Sequence, residues 1–374
     1  MRILMICARY PARAAKGDQT RSLAFLRELG RHHEVTVLTA GAAPDAAAAA
    51  ELQAHAASVV VPLNRAQRVL AAAGAVLRGV PAQVGWMMPP RAWRHARRAA
   101  RDHDVVLAMT ARSLRGPLPR PVVLDHVDAL SLNMTRRARG PEAWPVRAFA
   151  RMEAVLLRRH ERRAAAWAAA QLATSREDAD HLPAAPAVDV LASPWDGRVE
   201  AAVLEAERTI DVMLSGNMAY PPNRDAAEWL AREILPAVRR RRPDTSACVV
   251  GRAAAALALP GVQVASDVHD VGEWLRRARV AVVPLRLGTG SPNKLLEAVA
   301  AGAAVVATPW AAARFDLPCA AGSTAEELAA EIVRLLDDEA ARGQLAAGAL
   351  ARLSEHGAGR AAERLEAILS AACR

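Results

Sequence analysis

The sequence predicts an α/β protein of two domains, each a parallel sheet wrapped by helices. Three observations carry that prediction. Short apolar runs alternate with helix-periodic stretches along most of the chain, the pattern of parallel strands joined by helical crossovers. A stretch with three prolines and no strong period, 183–203, divides the chain, and the alternation restarts after it. The length, 374 residues, suits two domains at roughly 150 residues each.

In the first domain, residues 2–8 read as a buried strand. A loop with Pro11 and Gly17 follows, then a helix over 20–30. Residues 34–39 (EVTVLT) alternate like a second strand, 46–57 read as helix and 58–62 as strand. Apolar runs at 105–109 and 122–125 are further strands. Residues 141–170 are helical and Arg-rich, and 171–175 is another strand. In the second domain, strands fall at 210–214, 246–250, 261–265, 280–284 and 305–308, with helices at 225–241, 271–279 and 293–301. Gly302 stops the last of these helices, and residues 324–374 are helical. The domains are thus placed at 1–190 and 191–374, with the terminal helix a candidate to pack back on the first.

Composition narrows the function. Hydrophobic residues are 52% of the chain, which provides a core and argues against disorder. The net charge of +10 invites nucleic acid, but aromatics are 3% and no basic stripe is interleaved with them, so nucleic acid is excluded as a partner. Four cysteines without a CxxC pair fit neither a zinc ribbon nor a disulfide scaffold, and place the chain in a reducing cytoplasm. No apolar run approaches the ~18–20 residues of a membrane span.

The residues that composition starves are informative. Lysine occurs only at 16 and 294, tyrosine at 10 and 220, and asparagine at 64, 133, 217, 223 and 293. Seven of these nine lie in three loop-like segments, 10–21, 216–226 and 288–302. In the last, a strand, a glycine turn and a helix follow one another (PLRLGTGSPNKLLEAVAAGAAVVATP, 284–309). A helix N-terminus carries about +0.5 charge and unpaired N–H donors, so this is an anion site. Lys294 adds a point charge, and Glu297, three residues on, shares its helix face and can accept two hydrogen bonds from ribose hydroxyls. The bland alternative is a tight turn beside a surface ion pair; the whole block favours a nucleoside diphosphate.

This block resembles the donor-sugar site of GT-B glycosyltransferases of the family-four type. Further stretches carry the resemblance: KGDQTRSLAFLREL from Lys16 with HEVTVLT from His33, LDHVDALSLNMTRRAR from Leu124, ATSREDAD from Ala173, and SGNMAYPPNRDAAEWLAREILPAVRRRRPD from Ser215. Together they are most similar to bacterial sugar transferases of exopolysaccharide-type pathways. The resemblance implies a GT-B fold, two Rossmann-like domains whose parallel sheets face a central cleft. It implies metal-independent transfer, with retention, of a hexosyl unit from a UDP- or GDP-sugar to an acceptor hydroxyl. The acceptor would be a small molecule, a glycan or a lipid-linked species, and the nucleotide sugar is a co-substrate, with no cofactor and no metal. By position, Glu297 holds the ribose. Gly290, Ser291 and Pro292 approach the diphosphate and sugar through their amides, Val268 reads the base, and Gly17 lies near the diphosphate. His126 and Asp128 face the sugar and acceptor, and Lys294 stabilises the leaving group.

Three positions depart from the family pattern. Thr289 stands eight residues before Glu297, where the wider family has a glutamate. Asn217 and Pro222 replace an arginine and a lysine after the first strand of the second domain, so Lys294 and Arg224 are the candidates to supply that charge. LASPWDGR, from Leu191, replaces an asparagine–glycine linker. A nucleotide-sugar-binding protein without turnover, or another sugar-nucleotide enzyme on this fold, therefore stays open beside transfer.

Other residues carry two readings. His126 is a structural loop histidine, or it bonds a sugar hydroxyl or relays a proton. Asp102, His103 and Asp104 read as a solvated turn rather than a metal motif. Arg91, Arg94, Arg97, Arg98 and Arg101 form one basic face, either solvated or docked to an anionic bilayer from the cytoplasm.

Overall fold

The computed structural model describes the chain except residues 13–16, 43, 141–142, 196–200, 287–291, 316 and 354–356. It divides into two compact units, Met1–Pro194 with Ala358–Arg374, and Trp195–Gly357.

The first unit is built on seven strands, β1 (Arg2–Cys7), β2 (Glu34–Gly41), β3 (Ala57–Pro62), β4 (Val105–Met109), β5 (Val122–Asp125), β6 (Ala170–Ala173) and β7 (Val188–Val190). Their order is β3-β2-β1-β4-β5-β6-β7, and every pairing is parallel. β1 after Arg2, and all of β4, are apolar and buried because helices cover both faces of a parallel sheet. One face packs Leu23, Phe25 and Leu26 of the helix Gly17–Leu29 together with Leu365 and Leu369 of the terminal helix Ala358–Ala372. The other packs Ala92, Ala96, Leu157 and Ala164 from the helices Pro90–Ala99 and Trp144–Trp167.

The second unit has six parallel strands, β8 (Ile210–Ser215), β9 (Ala247–Gly251), β10 (Gln263–Ser266), β11 (Ala278–Val283), β12 (Ala304–Ala307) and β13 (Ala320–Ala321), ordered β10-β9-β8-β11-β12-β13. Both sheets repeat the order 3-2-1-4-5-6, the Rossmann arrangement. Strand order reverses at β1/β4 and at β8/β11, and ligands of open α/β sheets bind beyond the carboxyl ends of the strands at such reversals.

The structure departs from the sequence reading at several elements. The stretch 183–203 holds β7, an edge strand too short for a periodic signal, and the units divide after Pro194 rather than after 190. The helix expected over 225–241 starts at Pro221 and passes through a π-helical turn, Leu230–Ile234, where the amide of Leu235 donates to Leu230. Pro236 follows at once; a proline lacks the donor and crowds the preceding turn, and the widened turn makes room for it. The helical C-terminus is three helices, Ala325–Asp337, Glu339–Leu353 and Ala358–Ala372, the first ended by extended backbone at Asp338.

Candidate active site at the carboxyl edges of the two sheets

In the second unit, β8 runs into Gly216 at the strand-order reversal. Gly216 has φ +152°, and a Cβ there would lie 2.9 Å from the ammonium of Lys294 and 3.0 Å from the amide of Asn223. The bare backbone therefore admits both side chains. Lys294 stands in the first turn of the helix Asn293–Ala300, and its Nζ donates to Asn223 Oδ1 at 2.5 Å. Asn223 Nδ2 donates in turn to the carbonyl of Asn217 at 2.9 Å, and Asn217 Oδ1 accepts from the amide of Ala219. One chain of bonds thus runs from the loop after β8 to the helix after β11.

Burial pulls the Lys294 pKa down to about 8, opposed by the negative charge of Glu297. The ammonium stays mostly protonated at neutral pH and is poorly solvated, so it favours an arriving anion. Surrounding protein pushes the Glu297 carboxyl up and Lys294 pulls it down; because the side chain is exposed, solvent limits the shift. Arg224 is exposed and takes no part in the chain of bonds. Its neighbour Asp225 instead receives a two-pronged ion pair from Arg286, which also lies over the Trp229 ring. Val268 is half-buried in the turn after β10, where it packs on the core. Thr289, Gly290 and Ser291 lie outside the described residues.

In the first unit, the carboxyl ends of β4, β5 and β6 bring polar groups together. The amide of Thr110 donates to Asp125 at 2.7 Å, His126 to Leu172 at 2.8 Å, and Thr174 to Val127 at 2.9 Å. Thr110 and Val127 have φ of +69° and +65°. A β-branched residue there is strained, and such strain gathers at functional sites. Four buried polar atoms on these segments have no hydrogen-bond partner among the described residues: Thr110 Oγ1, Arg112 Nε, His126 Nδ1 and Thr174 Oγ1. Buried polar groups are normally satisfied, so a cluster of exceptions marks where a polar ligand belongs.

Gln171 fixes the state of His126. Its amide nitrogen donates to the carbonyls of Pro183 and Pro186, which leaves its oxygen as acceptor for His126 Nε2 at 2.8 Å. His126 therefore carries its proton on Nε2 and offers a bare Nδ1, the tautomer this network assigns. Burial lowers its pKa to about 4, so it accepts a hydrogen bond but is a weak base. Burial raises Asp128 to about 6, with Arg112 opposing, and Asn133 Nδ2 donates to it at 2.5 Å. Asp128 is the better proton acceptor of the two.

Beneath this edge, Arg21 Nε donates to Asp125 Oδ2 at 2.7 Å, both side chains fully buried, and Asp125 Oδ1 accepts from the strained Val127 amide. Breaking a buried pair of this kind costs about 3–5 kcal/mol. Sequence reading missed both residues. The available signal was Arg21, a cation on the apolar helix face four residues before Phe25, which demands a buried partner. Gly17 opens the same helix and is exposed.

Residues 209–338 match the family described as glycosyl transferases group 1. No curated protein matches the chain. Among solved structures, Anabaena HepE in complex with UDP and glucose is similar with a TM-score of 0.66 at 14% identity, over 98% of this chain and 99% of that one. WaaG, a glycosyltransferase involved in lipopolysaccharide biosynthesis, gives 0.61 at 15% identity, over 98% and 99%. The E. coli trehalose-6-phosphate structure bound with UDP-2-fluoro glucose gives 0.60 at 12% identity, over 99% of both chains. The fold is GT-B, and the stretch that matches the group 1 model lies within the second unit.

Proposed function

We propose that this GT-B chain of the group 1 glycosyl transferase type moves a hexosyl unit from a UDP- or GDP-sugar to an acceptor hydroxyl. The observation that carries the reading is the Asn217–Asn223–Lys294 chain of bonds, which aims a poorly solvated ammonium at the strand-order reversal of the domain that matches the family. The UDP in the HepE structure supports a uridine donor. Retention at the anomeric carbon is read from the family resemblance.

The chemistry follows from charge. The bond between the anomeric carbon and the diphosphate oxygen breaks, and negative charge grows on the leaving diphosphate. Lys294 and the amides opening the Asn293–Ala300 helix are fixed where that charge is best stabilised. Glu297 accepts hydrogen bonds from the ribose. In the first unit, Thr110, Thr174 and His126 Nδ1 hold acceptor or sugar hydroxyls, and Asp128 takes the acceptor proton as the new C–O bond forms. We read the transfer as metal-independent, with fixed dipoles and Lys294 in the metal's role.

We also propose contact with an anionic membrane, from its cytoplasmic side, which suits a lipid-linked acceptor. Among the described residues no helix is long and apolar enough to cross a bilayer. The helix Trp144–Trp167, however, exposes Trp144, Phe149, Met152 and Val155 beside Arg147, Arg151, Arg158, Arg159 and Arg162, while its two acidic residues, Glu153 and Glu161, are buried. An apolar and basic face free of carboxylates is complementary to anionic headgroups.

A thermal-shift panel of nucleotides and nucleotide sugars tests the donor reading. UDP or GDP at a hundred times Kd should add about 2.7 kcal/mol of stability, unchanged by EDTA. No response to any nucleoside diphosphate would sink it, and a response that EDTA abolishes and magnesium restores would end the metal-free part. A donor that binds yet never releases its sugar to any acceptor would mark a non-catalytic binding protein.

A further inference from the structure

The first unit contains a cavity of about 360 Å³ at the carboxyl ends of β1 and β2, lined by Arg9, Gln19, Thr39, Arg68, Trp86 and Met87 among others. We propose that it binds one acidic sugar unit of the acceptor, with Arg68 holding the anionic group. The proposal rests on the transferase reading and adds the chemical class of its acceptor.

Arg68 is the centre of a built arrangement. It belongs to the helix Arg65–Val76, whose start is fixed by a reciprocal cap between Asn64 and Gln67. Its Nη2 donates to the carbonyl of Ala40. Its guanidinium carbon lies 5.7 Å from the centroid of the Trp86 ring, at cation–π distance. Gly41, at φ +150°, makes the room: a Cβ there would be 2.2 Å from Arg68 Nη2. Backbone, aromatic ring and glycine thus hold the fork in one place.

The arrangement is incomplete in charge. Among the described residues Arg68 Nε, a buried atom, has no hydrogen-bond partner, and no carboxylate pairs with this guanidinium. Arg9, in the same cavity, differs, because Asp18 neutralises it at 2.6 Å. Burial lowers the Arg68 pKa, yet an arginine stays charged. A fixed cation short of both a counter-ion and a hydrogen bond is set for the parallel acceptors of a phosphate or carboxylate. Trp86 and Met87 add an apolar wall for a sugar-ring face. The volume lies near the lower end of ligand pockets, roughly 300–1,000 Å³, which suits a single residue.

The test is calorimetric titration of the full chain with a hexose 6-phosphate, a hexuronate and the plain hexose, with UDP titrated separately. At least one acidic sugar should bind about tenfold or more tighter than the hexose; which one does identifies the anion as phosphate or carboxylate. Arg68→Gln should erase that advantage and leave UDP binding unchanged, with a denaturant-unfolding midpoint of the first unit matching the parent's to report folding. Gly41→Ala, which displaces the guanidinium without changing charge, should weaken the acidic sugar in the same way. The proposal is overturned if all three sugars bind alike or not at all, or if folded Arg68→Gln keeps the preference. Loss of UDP binding in the parent counts against the donor reading instead, so the two failures are distinguishable.

Discussion

Lys294 is one of two lysines in a chain that otherwise uses arginine, and its surroundings explain the choice. The compact ammonium sits between Asn223 and the bare backbone of Gly216, a place where a planar fork would present its donors differently. Lys294→Ala should therefore lower kcat roughly a hundredfold, by analogy with loss of one oxyanion donor, while raising donor KM less, because its charge matters most as the diphosphate departs. Lys294→Arg should not fully rescue. Steady-state kinetics on folded variants checks this, and parent-like kcat in Lys294→Arg would count against the role. The rarity of lysine made residue 294 legible in the sequence, and its spacing from Glu297 made the pair legible. Asn223 fell in a segment flagged by rare residues, but its role lies in two bonds that only the folded loop creates. The strain at Val127 had no sequence signal, since it accompanies a local bond to the Asp125 carboxylate and a long-range bond from the Thr174 amide.

At the scale of elements, the helix Trp144–Trp167 was legible as helical and Arg-rich, but which side faced solvent was not. Burial of Glu153 against the amides of Ala82 and Gln83, and of Glu161 against Ser131, decides it. Both acids turn inward, and the outward face keeps only cations and apolar groups. Vesicle co-sedimentation should accordingly need anionic lipid and weaken as salt rises. Replacing Arg151, Arg158, Arg159 and Arg162 with glutamate should remove it, at about 1 kcal/mol per charge near the surface. Binding that is equal on neutral vesicles would contradict the electrostatic account. Strand positions were read within one to three residues because buried parallel strands are continuous apolar runs. β7 and β13, three and two residues long, and the π turn ahead of Pro236 were not, because none of them leaves a periodic pattern.

At the scale of the whole molecule, buried titrating groups set the pH dependence of stability in two opposed directions. His126, held near 4 against an ordinary 6.5, contributes stability present above pH 6.5 and lost as pH falls through about 4. Glu161, raised by burial to about 7 from 4.5, contributes stability present below pH 4.5 and lost as pH rises to about 7. Each shift corresponds to something on the order of 3 kcal/mol. Relative to His126→Asn the parent should weaken on acidification, and relative to Glu161→Gln it should weaken on alkalinisation. Denaturant midpoints between pH 4 and 8 measure both slopes, and slopes of the same sign would refute the assignment. The repeated 3-2-1-4-5-6 strand order places Gly216, Asn223 and Lys294, the groups proposed to hold the donor, at a strand-order reversal, and the functional reading rests on that placement. Titrating UDP into the parent and Glu297→Ala by calorimetry tests it most directly. Loss of ribose hydrogen bonds to a carboxylate, worth roughly 1.5–3 kcal/mol, should weaken UDP about ten- to a hundredfold. UDP binding of equal strength to both proteins, or to neither, would contradict it.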